Sequence, residues 1–310
     1  MRNKLKLFSL SILASSLLLS ACSEPDKTKV IDEKFVIEAM KDPIEVEIHS
    51  LDELMALFKE HQYDSESWAK GNREVPRLSF EKVSEEWKHT SNEMPVALKK
   101  EVFFRLMAPL VLISNERILL ERQEVKMASL DSQTLKALAV KYSVLENEQQ
   151  AMTEELRTNL LTKVDIMPPS LALAQAAEES GWGTSRFAEE GNAFFGQWDF
   201  SGKGMAPKQQ RKELGDYGLA RFDSPLGSVE GYMFNINTTT AYAKLRTLRA
   251  ELRANGDAIT GMELAGTLDK YSERGQAYID SIREMISYNK LQDVDEAYLS
   301  KDKLIHLTGN

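Results

Sequence analysis

The sequence predicts a mainly α-helical fold, and three observations support this class. Apolar residues recur at helical spacing, as in the stripe formed by Phe103, Leu106, Leu110 and Ile113. Prolines stand ahead of apolar stretches, where helices commonly begin. Residues 95–160 lack the alternation of apolar and polar residues that strands show. Together these features indicate packed helices.

The first half of the chain contains, in order, an arm and three helices. Residues 35–95 carry short apolar patterns broken by prolines and a glycine, which predicts an ordered N-terminal arm with one small helix and irregular segments. Apolar periodicity then predicts a long helix from Pro95 to about Lys126, and further helices over residues 132–144 and 147–160.

The second half begins with a short apolar helix. A proline pair marks its start and Ser180-Gly181 its end, so the helix is predicted from Pro169 to Glu179. Its almost wholly apolar composition predicts that it is buried. Glycines and a proline among polar residues predict a mobile loop or small hairpin over residues 200–217, and Ser224-Pro225 predicts the start of another helix.

A basic helix is predicted from Ala241 to Ala254. Its positive charges are Lys244, Arg246, Arg249 and Arg253. Such a row could attract an acidic polymer, but a solvated helix face is the expected role.

Composition excludes several classes of function. The chain has 310 residues, 42% hydrophobic and 28% charged, the balance of a globular protein with one or two domains. Its net charge of −9 argues against nucleic acid as a partner, since that contact needs clustered lysines and arginines. The four histidines are scattered, so no metal and no cofactor are expected. GxSxG and glycine-rich phosphate-binding motifs are missing, which leaves esterases, kinases and dehydrogenases without support.

The N-terminus has the pattern of a secretion signal. Basic residues precede an apolar run from Leu7 to Leu19, which is too short to span a bilayer. The sequence Leu19-Ser20-Ala21-Cys22 resembles the lipobox of bacterial lipoproteins. The resemblance implies that residues 1–21 are removed as a signal peptide and that Cys22 carries lipid. An ordinary signal peptide with a stray cysteine is the alternative.

Lipid on Cys22 would make the membrane a partner of the mature protein, because several acyl chains give stable attachment. Ser23 follows, where lipoproteins retained in the inner membrane usually carry Asp, so the resemblance implies the periplasmic face of the outer membrane. Residues 22–34 are polar and without periodicity, which predicts a solvated tether.

Two adjacent carboxylates, Glu178 and Glu179, end the short apolar helix. Glycoside cleavage needs a carboxylic acid that stays protonated near neutral pH, and apolar surroundings achieve this. Neighbouring helical residues point about 100° apart, so only one of the two can face a given cleft, and spacing does not choose between them. A solvated helix end is the alternative, although the helix dipole disfavours negative charge there.

The segment AQAAEESGWGTSRFAEEGNAFFGQWDF is similar to the AQAALESGWG and NLFG motifs of the glucosaminidase domain family (glycoside hydrolase family 73, mannosyl-glycoprotein endo-beta-N-acetylglucosaminidase-like), in particular its Bax-like branch. The resemblance implies that Glu179 is the catalytic acid. It extends from about Lys99 to Asn289 and implies a lysozyme-like helical domain with a small β-lobe over the cleft. We assign this catalytic domain to residues 96–292 and a C-terminal tail to residues 293–310.

Aromatic side chains near the motif are candidates for sugar binding, because their faces pack on the C–H surfaces of sugars. We expect substrate to contact Trp182, Phe195, Gly196 and Trp198. Core packing is the alternative for Trp182 and Phe195. The resemblance implies an active-site role for Tyr271, whereas Tyr278 falls on the apolar stripe of its helix and is expected to be structural.

A second carboxylate is required if the enzyme uses two. Asp199, Glu213 and Asp216 are candidates, and we select Glu213. Alternatively, the N-acetyl oxygen of the substrate acts as the nucleophile and no second carboxylate is needed.

The predicted function is hydrolysis of peptidoglycan glycan strands at the β-1,4 bond after N-acetylglucosamine, with Glu179 as general acid and Tyr271 in support. A lytic transglycosylase is a second hypothesis, because related folds also use one Glu at a helix end. A lipoprotein that binds glycan without catalysis is the third.

Overall fold

The computed structural model describes residues 31–84, 87–199, 201–206 and 218–309. The fold over these ranges is mainly α-helical, as the sequence predicts. Cys22, Glu213 and Asp216 lie outside the described residues. Within the described part, none of the helices combines the length and the apolar character needed to cross a membrane.

The α-helices are short except for one central rod. They are α1 (Glu33–Met40), α2 (Leu51–Glu60), α3 (Ser65–Ala69), α4 (Trp87–Glu93), α5 (Val96–Met127), α6 (Gln133–Lys141), α7 (Glu154–Lys163), α8 (Pro169–Ser180), α9 (Arg186–Gly191), α10 (Pro225–Thr238), α11 (Ala243–Asn255), α12 (Gly261–Ala265) and α13 (Gln276–Tyr288). Two 3₁₀ helices span Thr240–Tyr242 and Leu291–Glu296.

The core surrounds α5 and α8. Helix α5 is buried continuously from Met107 to Asn115, because α6, α7, α8, α10 and a strand of the arm pack around it. Helix α8 is buried from Pro169 to Ala177 between α5, α12, α13 and the 3₁₀ helix Leu291–Glu296. The burial predicted for α8 is confirmed, and a buried helix is a rigid support for the residues at its end.

Both ends of α8 are fixed by local contacts. Pro169 occupies its first turn, where the missing N–H costs no hydrogen bond. The Asp295 carboxylate accepts from the backbone N–H and the hydroxyl of Ser170, at 2.8 and 2.7 Å. The other end stops at Gly181, whose φ of 56° lies in the left-handed region that glycine adopts without strain. These contacts determine where Glu179 emerges.

The strands are short. They are β1 (Ile44–Glu47), β2 (Glu74–Val75), β3 (Leu78–Phe80), β4 (Trp198–Asp199), β5 (Gly218–Leu219), β6 (Tyr298–Leu299) and β7 (Ile305–Thr308). Strand β7 lies between β1 and β3 in a parallel sheet, and β2 pairs with β6 in parallel. The segments predicted as the N-terminal arm and the C-terminal tail are therefore joined by strand pairing. Strands β4 and β5 pair antiparallel on either side of the predicted loop.

Four predictions from the sequence are wrong at least in part. The tether predicted over residues 22–34 ends earlier, because α1 begins at Glu33. The arm contains helices α1–α4 and strands β1–β3, where one small helix and irregular segments were predicted. The helix predicted from residue 147 begins only at Glu154, because the Thr153 hydroxyl caps it by accepting from the Leu156 N–H at 3.2 Å. The basic helix α11 is not a solvated face either, since Arg246 and Arg249 are buried. Arg249 donates to the carbonyl of Thr162 in the last turn of α7 and to the carbonyls of Asp165 and Ile166 just after it. Carbonyls at the end of a helix have no N–H partner within the helix, so they need a donor from elsewhere.

Candidate active site

The Glu179 carboxyl group lies at the C-terminal end of α8 and is half-buried. Its Oε1 accepts a hydrogen bond of 2.8 Å from the hydroxyl of Tyr278 on α13. Its Oε2 lies beside Gly196, where an added Cβ would come within 3.2 Å of that oxygen. The carboxyl group is thus held between a tyrosine on one side and bare backbone on the other.

The surroundings of Glu179 favour its protonated form. Burial raises the pKa of Glu179, and the nearby charge of Glu178 raises it further. The hydrogen bond from Tyr278 and the positive charge of Arg274 act in the opposite direction, but the net shift of the pKa is upward. A carboxyl group of this kind can donate a proton closer to neutral pH than an exposed one can.

Glu178 has a different environment from its neighbour. Its Oε1 accepts from the Arg274 guanidinium at 2.7 Å and from the Ser281 hydroxyl at 3.3 Å. The two adjacent carboxylates, which sequence spacing leaves equivalent, therefore differ: one is ion-paired, and the other is desolvated and bonded to a neutral tyrosine.

Tyr271 and Phe195 form the wall next to the carboxyl group. The Tyr271 hydroxyl donates to the Phe195 carbonyl at 2.9 Å, and its ring stacks on that of Tyr278 with centroids 5.4 Å apart. The Phe195 ring is 1% exposed and stacks on Tyr232 at 4.0 Å, so it faces the core. Phe195 therefore presents its backbone, and not its ring, to the site.

Gly196 follows Phe195 and turns the chain beneath Glu179. Its φ of 61° lies in the left-handed region, and the carboxyl group leaves little space for a side chain. Two residues later, Trp198 on β4 is 57% exposed, although its backbone pairs with Leu219 on β5. Its indole has the flat aromatic face on which the C–H surfaces of sugars pack.

Trp182 lies on another side of the α8 end. Its ring packs edge-on against Phe103 and Phe104 of α5, at 5.7 and 5.2 Å, and Lys100 sits over it at 5.0 Å. Its carbonyl accepts from the Trp87 indole N–H at 2.9 Å. The structure brings Glu179, Phe195, Gly196 and Tyr271 together, whereas the Trp182 ring is directed to α5.

Sequence reasoning missed three buried polar residues behind Glu179. Gln175 and Tyr232 are fully buried and Tyr278 is 1% exposed, yet hydrogen bonds connect them to the carboxyl group. Tyr278 does lie on the buried stripe of α13, as predicted, but its hydroxyl also contacts Glu179. The missed signal was Gln175, a lone amide in an Ala/Leu helix, four residues before Glu179 and so on the same helix face.

Of the candidate second carboxylates, Asp199 is among the described residues. It lies on β4, and its Oδ1 accepts from the Ser201 N–H at 2.7 Å. Hydrogen bonds from Ser201 lower the pKa of Asp199, which favours an ionised carboxylate beside Trp198. The role predicted for Glu213 stays a prediction.

A cavity of about 540 Å³ lies elsewhere, beyond the carboxyl ends of β1, β3 and β7. Its lining is mostly apolar and includes Leu54, Phe80, Phe103 and Leu307. Of the predicted site residues that the structure describes, none lines it. Across the described ranges, no cluster of three or more His, Cys, Asp or Glu side chains is arranged to hold a metal ion. The chemistry of Glu179 therefore makes the α8 end the candidate active site.

Comparisons with known proteins point to the same region. Residues 155–291 match the family described as Glucosaminidase: Mannosyl-glycoprotein endo-beta-N-acetylglucosaminidase. The chain is 30% identical over 200 residues to Protein bax of Escherichia coli (strain K12). The aligned stretch covers 62% of this chain and 70% of that protein. No solved structure matches the chain significantly.

Proposed function

The chain belongs to the glucosaminidase domain family, in its Bax-like branch, and from that premise we propose that it is an endo-β-N-acetylglucosaminidase that cleaves the glycan strands of peptidoglycan. The bond broken is the β-1,4 linkage after N-acetylglucosamine. The observation that carries the proposal is the half-buried Glu179 carboxyl group, whose pKa is raised by burial at the end of a rigid apolar helix.

In the proposed reaction Glu179 is the general acid. Its proton passes to the glycosidic oxygen while the bond between that oxygen and the anomeric carbon breaks. Water then adds hydroxide to the anomeric carbon, and its other proton returns to Glu179. The positive charge that develops on the sugar is met either by a second carboxylate, for which Glu213 is the candidate, or by the N-acetyl oxygen of the substrate.

The substrate would lie along the α8 end, with the β4–β5 hairpin as the small β-lobe of a lysozyme-like domain. Trp198 stacks on a sugar ring from the hairpin side, which its exposure supports. Tyr271 and Phe195 act together, because the hydrogen bond between them holds the backbone that leads into Gly196. Trp182 contributes by anchoring the α8 end to α5, the packing role that was the alternative to a contact with substrate.

The remaining proposals concern the location of the enzyme. Residues 1–21 are a signal peptide, Cys22 carries lipid, and the tether that begins at Cys22 links the membrane to the folded part, which starts at Ile31, where the backbone N–H donates to Gln123 Oε1 on α5. The protein is held at the periplasmic face of the outer membrane, next to peptidoglycan. Residues 35–95 and 293–310 flank the catalytic domain of residues 96–292, and their strands pair with one another.

The test is mass spectrometry of fragments released from purified peptidoglycan by the protein and by its Glu179→Gln variant. Fragments that end in a reducing N-acetylglucosamine, made by the wild-type protein alone, support the proposal. Anhydro-muramic ends would instead identify a lytic transglycosylase. Binding to sacculi without released fragments would identify a glycan-binding lipoprotein.

A further inference from the structure

A chain of three hydrogen bonds runs from the protein core to Glu179. The Tyr232 hydroxyl donates to Gln175 Oε1 at 2.6 Å, Gln175 Nε2 donates to the Tyr278 oxygen at 3.0 Å, and the Tyr278 hydroxyl donates to Glu179 Oε1 at 2.8 Å. Its members come from three helices, α8, α10 and α13. Polar groups are costly in such a buried place unless each has a partner, and here each has one.

The direction of these bonds follows from the chemistry of the amide. A glutamine oxygen only accepts and its nitrogen only donates, whereas a tyrosine hydroxyl has one hydrogen to give. Because Tyr232 donates to the amide oxygen, the amide nitrogen of Gln175 is turned to Tyr278. The Tyr278 oxygen therefore accepts from Gln175, and its single hydrogen is left for Glu179.

The two oxygens of Glu179 are consequently not equivalent. Oε1 already accepts the hydrogen of Tyr278, so a proton on that oxygen would compete with this hydrogen bond. Oε2 faces the bare backbone of Gly196, which has no side chain to cover it. Resting on the proposed function, we infer that Gln175 is a positioning residue that, through Tyr278, keeps the catalytic proton of Glu179 on Oε2.

Tyr278 can serve this role throughout the working pH range. Burial raises the pKa of Tyr278 far above its usual value, and the nearby charge of Glu179 raises it further. The tyrosine therefore stays protonated and remains a donor. Since a donor stabilises the ionised carboxylate, the chain also limits how far burial raises the pKa of Glu179.

Other titratable groups around Glu179 must be considered in any pH-dependent test. Glu178 on the same helix raises its pKa, and Arg274, ahead of α13, lowers it. Tyr242 and Tyr271 interact electrostatically with Glu179, and burial raises the pKa of each, so both are neutral. None of these groups is altered in the variants that test the hydrogen-bonded chain.

The test compares Gln175→Met and Tyr278→Phe with wild type. Gln175→Met keeps the length of the side chain and removes both hydrogen bonds, while Tyr278→Phe removes only the donor to Glu179. Tyr142→Phe is the matched control, because the buried Tyr142 also donates to a carboxylate, that of Glu121, at 2.5 Å. Each variant is checked for folding by circular dichroism and urea unfolding.

Two readouts are used: the pH profile of glycan cleavage and an infrared titration of the carboxyl groups, with Glu179→Gln to identify the band of Glu179. Tyr278→Phe is expected to move the alkaline limb of the activity profile and the titration of Glu179 upward by about one pH unit, the effect of losing one hydrogen bond to a charged carboxylate. Gln175→Met leaves the Tyr278 hydroxyl in place but no longer orients it, so the same two quantities are expected to move in the same direction by a smaller amount. Their kcat is expected to fall while KM changes little. Tyr142→Phe should match wild type.

The outcomes separate the inference from the function on which it rests. If Tyr278→Phe shifts the titration and folded Gln175→Met does not, Gln175 has no positioning role and the inference is overturned. It is overturned as well if neither variant shifts it, whatever their rates. If the wild-type protein cleaves no glycan, the proposed function fails, but the infrared titration still decides whether Gln175 and Tyr278 control Glu179.

Discussion

Replacing Gly196 by alanine tests how closely the backbone approaches Glu179. An alanine at a φ of 61° is strained by about 1–2 kcal/mol, because its Cβ approaches the neighbouring carbonyl. The new Cβ would also lie 3.2 Å from Glu179 Oε2 and 3.9 Å from its carboxyl carbon, so the carboxyl group must shift by a few tenths of an ångström. The substitution therefore affects both stability and catalytic geometry.

Gly256→Ala separates these two effects. Gly256 ends α11 with a φ of 75°, and an added Cβ would meet no atom within 4 Å. Both variants are expected to lose about 1–2 kcal/mol of unfolding free energy in urea titrations. Only Gly196→Ala is expected to lose activity, by roughly tenfold in kcat, because a misplacement of about 1 Å can cost a hundredfold.

The assay is release of soluble glycan fragments from purified peptidoglycan, measured at a temperature where both variants are fully folded. Added apolar surface beside Oε2 should also raise the pKa of Glu179, so the alkaline limb of the Gly196→Ala profile moves to higher pH. Equal activity of the two alanine variants would refute the close approach of the Gly196 backbone to the reacting carboxyl group.

Two charge variants complete the set. Asp165→Asn should lower the unfolding free energy by about 3–5 kcal/mol at neutral pH, because buried arginines lose their counter-charge. Burial raises the pKa of Asp165, but its arginine neighbours lower it more, so the pKa is lower in the folded state than in the unfolded state. The stabilisation by this carboxylate is therefore complete above the unfolded-state pKa and is lost as pH falls through the folded-state pKa. The difference in unfolding free energy between wild type and Asp165→Asn should consequently shrink below about pH 4. A difference that persists unchanged in acid would contradict the role of this charge. Arg274→Met should raise the pKa of Glu179 and move the alkaline limb of activity upward, since a general acid works only while protonated; a downward shift would contradict the assigned charge effect.

Local signals made parts of the fold predictable. Helix α8 was predicted from Pro169 to Glu179 and runs from Pro169 to Ser180, because the proline start and the glycine stop act within a few residues. The same kind of signal was overlooked at Thr153, where a capping hydroxyl followed by two glutamates marks the true start of α7.

Contacts between distant residues were not predictable in this way. Strand β7 pairs Ile305 with both Ile44 and Leu78, and strands of three or four residues have too short a pattern to indicate such partners. The burial of Arg249 likewise depends on carbonyls supplied by α7 and the loop after it. Charge alone predicted a solvated residue, because sequence does not reveal where unpaired carbonyls will lie.

The candidate site shows the same difference between local signals, which sequence reveals, and contacts between distant residues, which it does not. Sequence identified a carboxylate at the end of a buried helix but left Glu178 and Glu179 as equals, since their spacing fixes only their angular separation. The distinction depends on α13 and the loop before it, which supply Arg274 to one carboxylate and Tyr278 to the other. These partners lie about a hundred residues away along the chain, which is why only the folded structure separates the two carboxylates.

The most direct measurement is the cleavage rate of Glu179→Gln beside that of Glu178→Gln, on the same purified peptidoglycan and with folding verified for both. Removing the proton donor should lower kcat by about a hundredfold to ten-thousandfold in Glu179→Gln. Glu178→Gln should retain most of its activity, with its alkaline limb moved to lower pH, because the charge that raises the pKa of Glu179 is gone. The opposite ranking, or equal rates, would contradict the assignment of Glu179 as the acid.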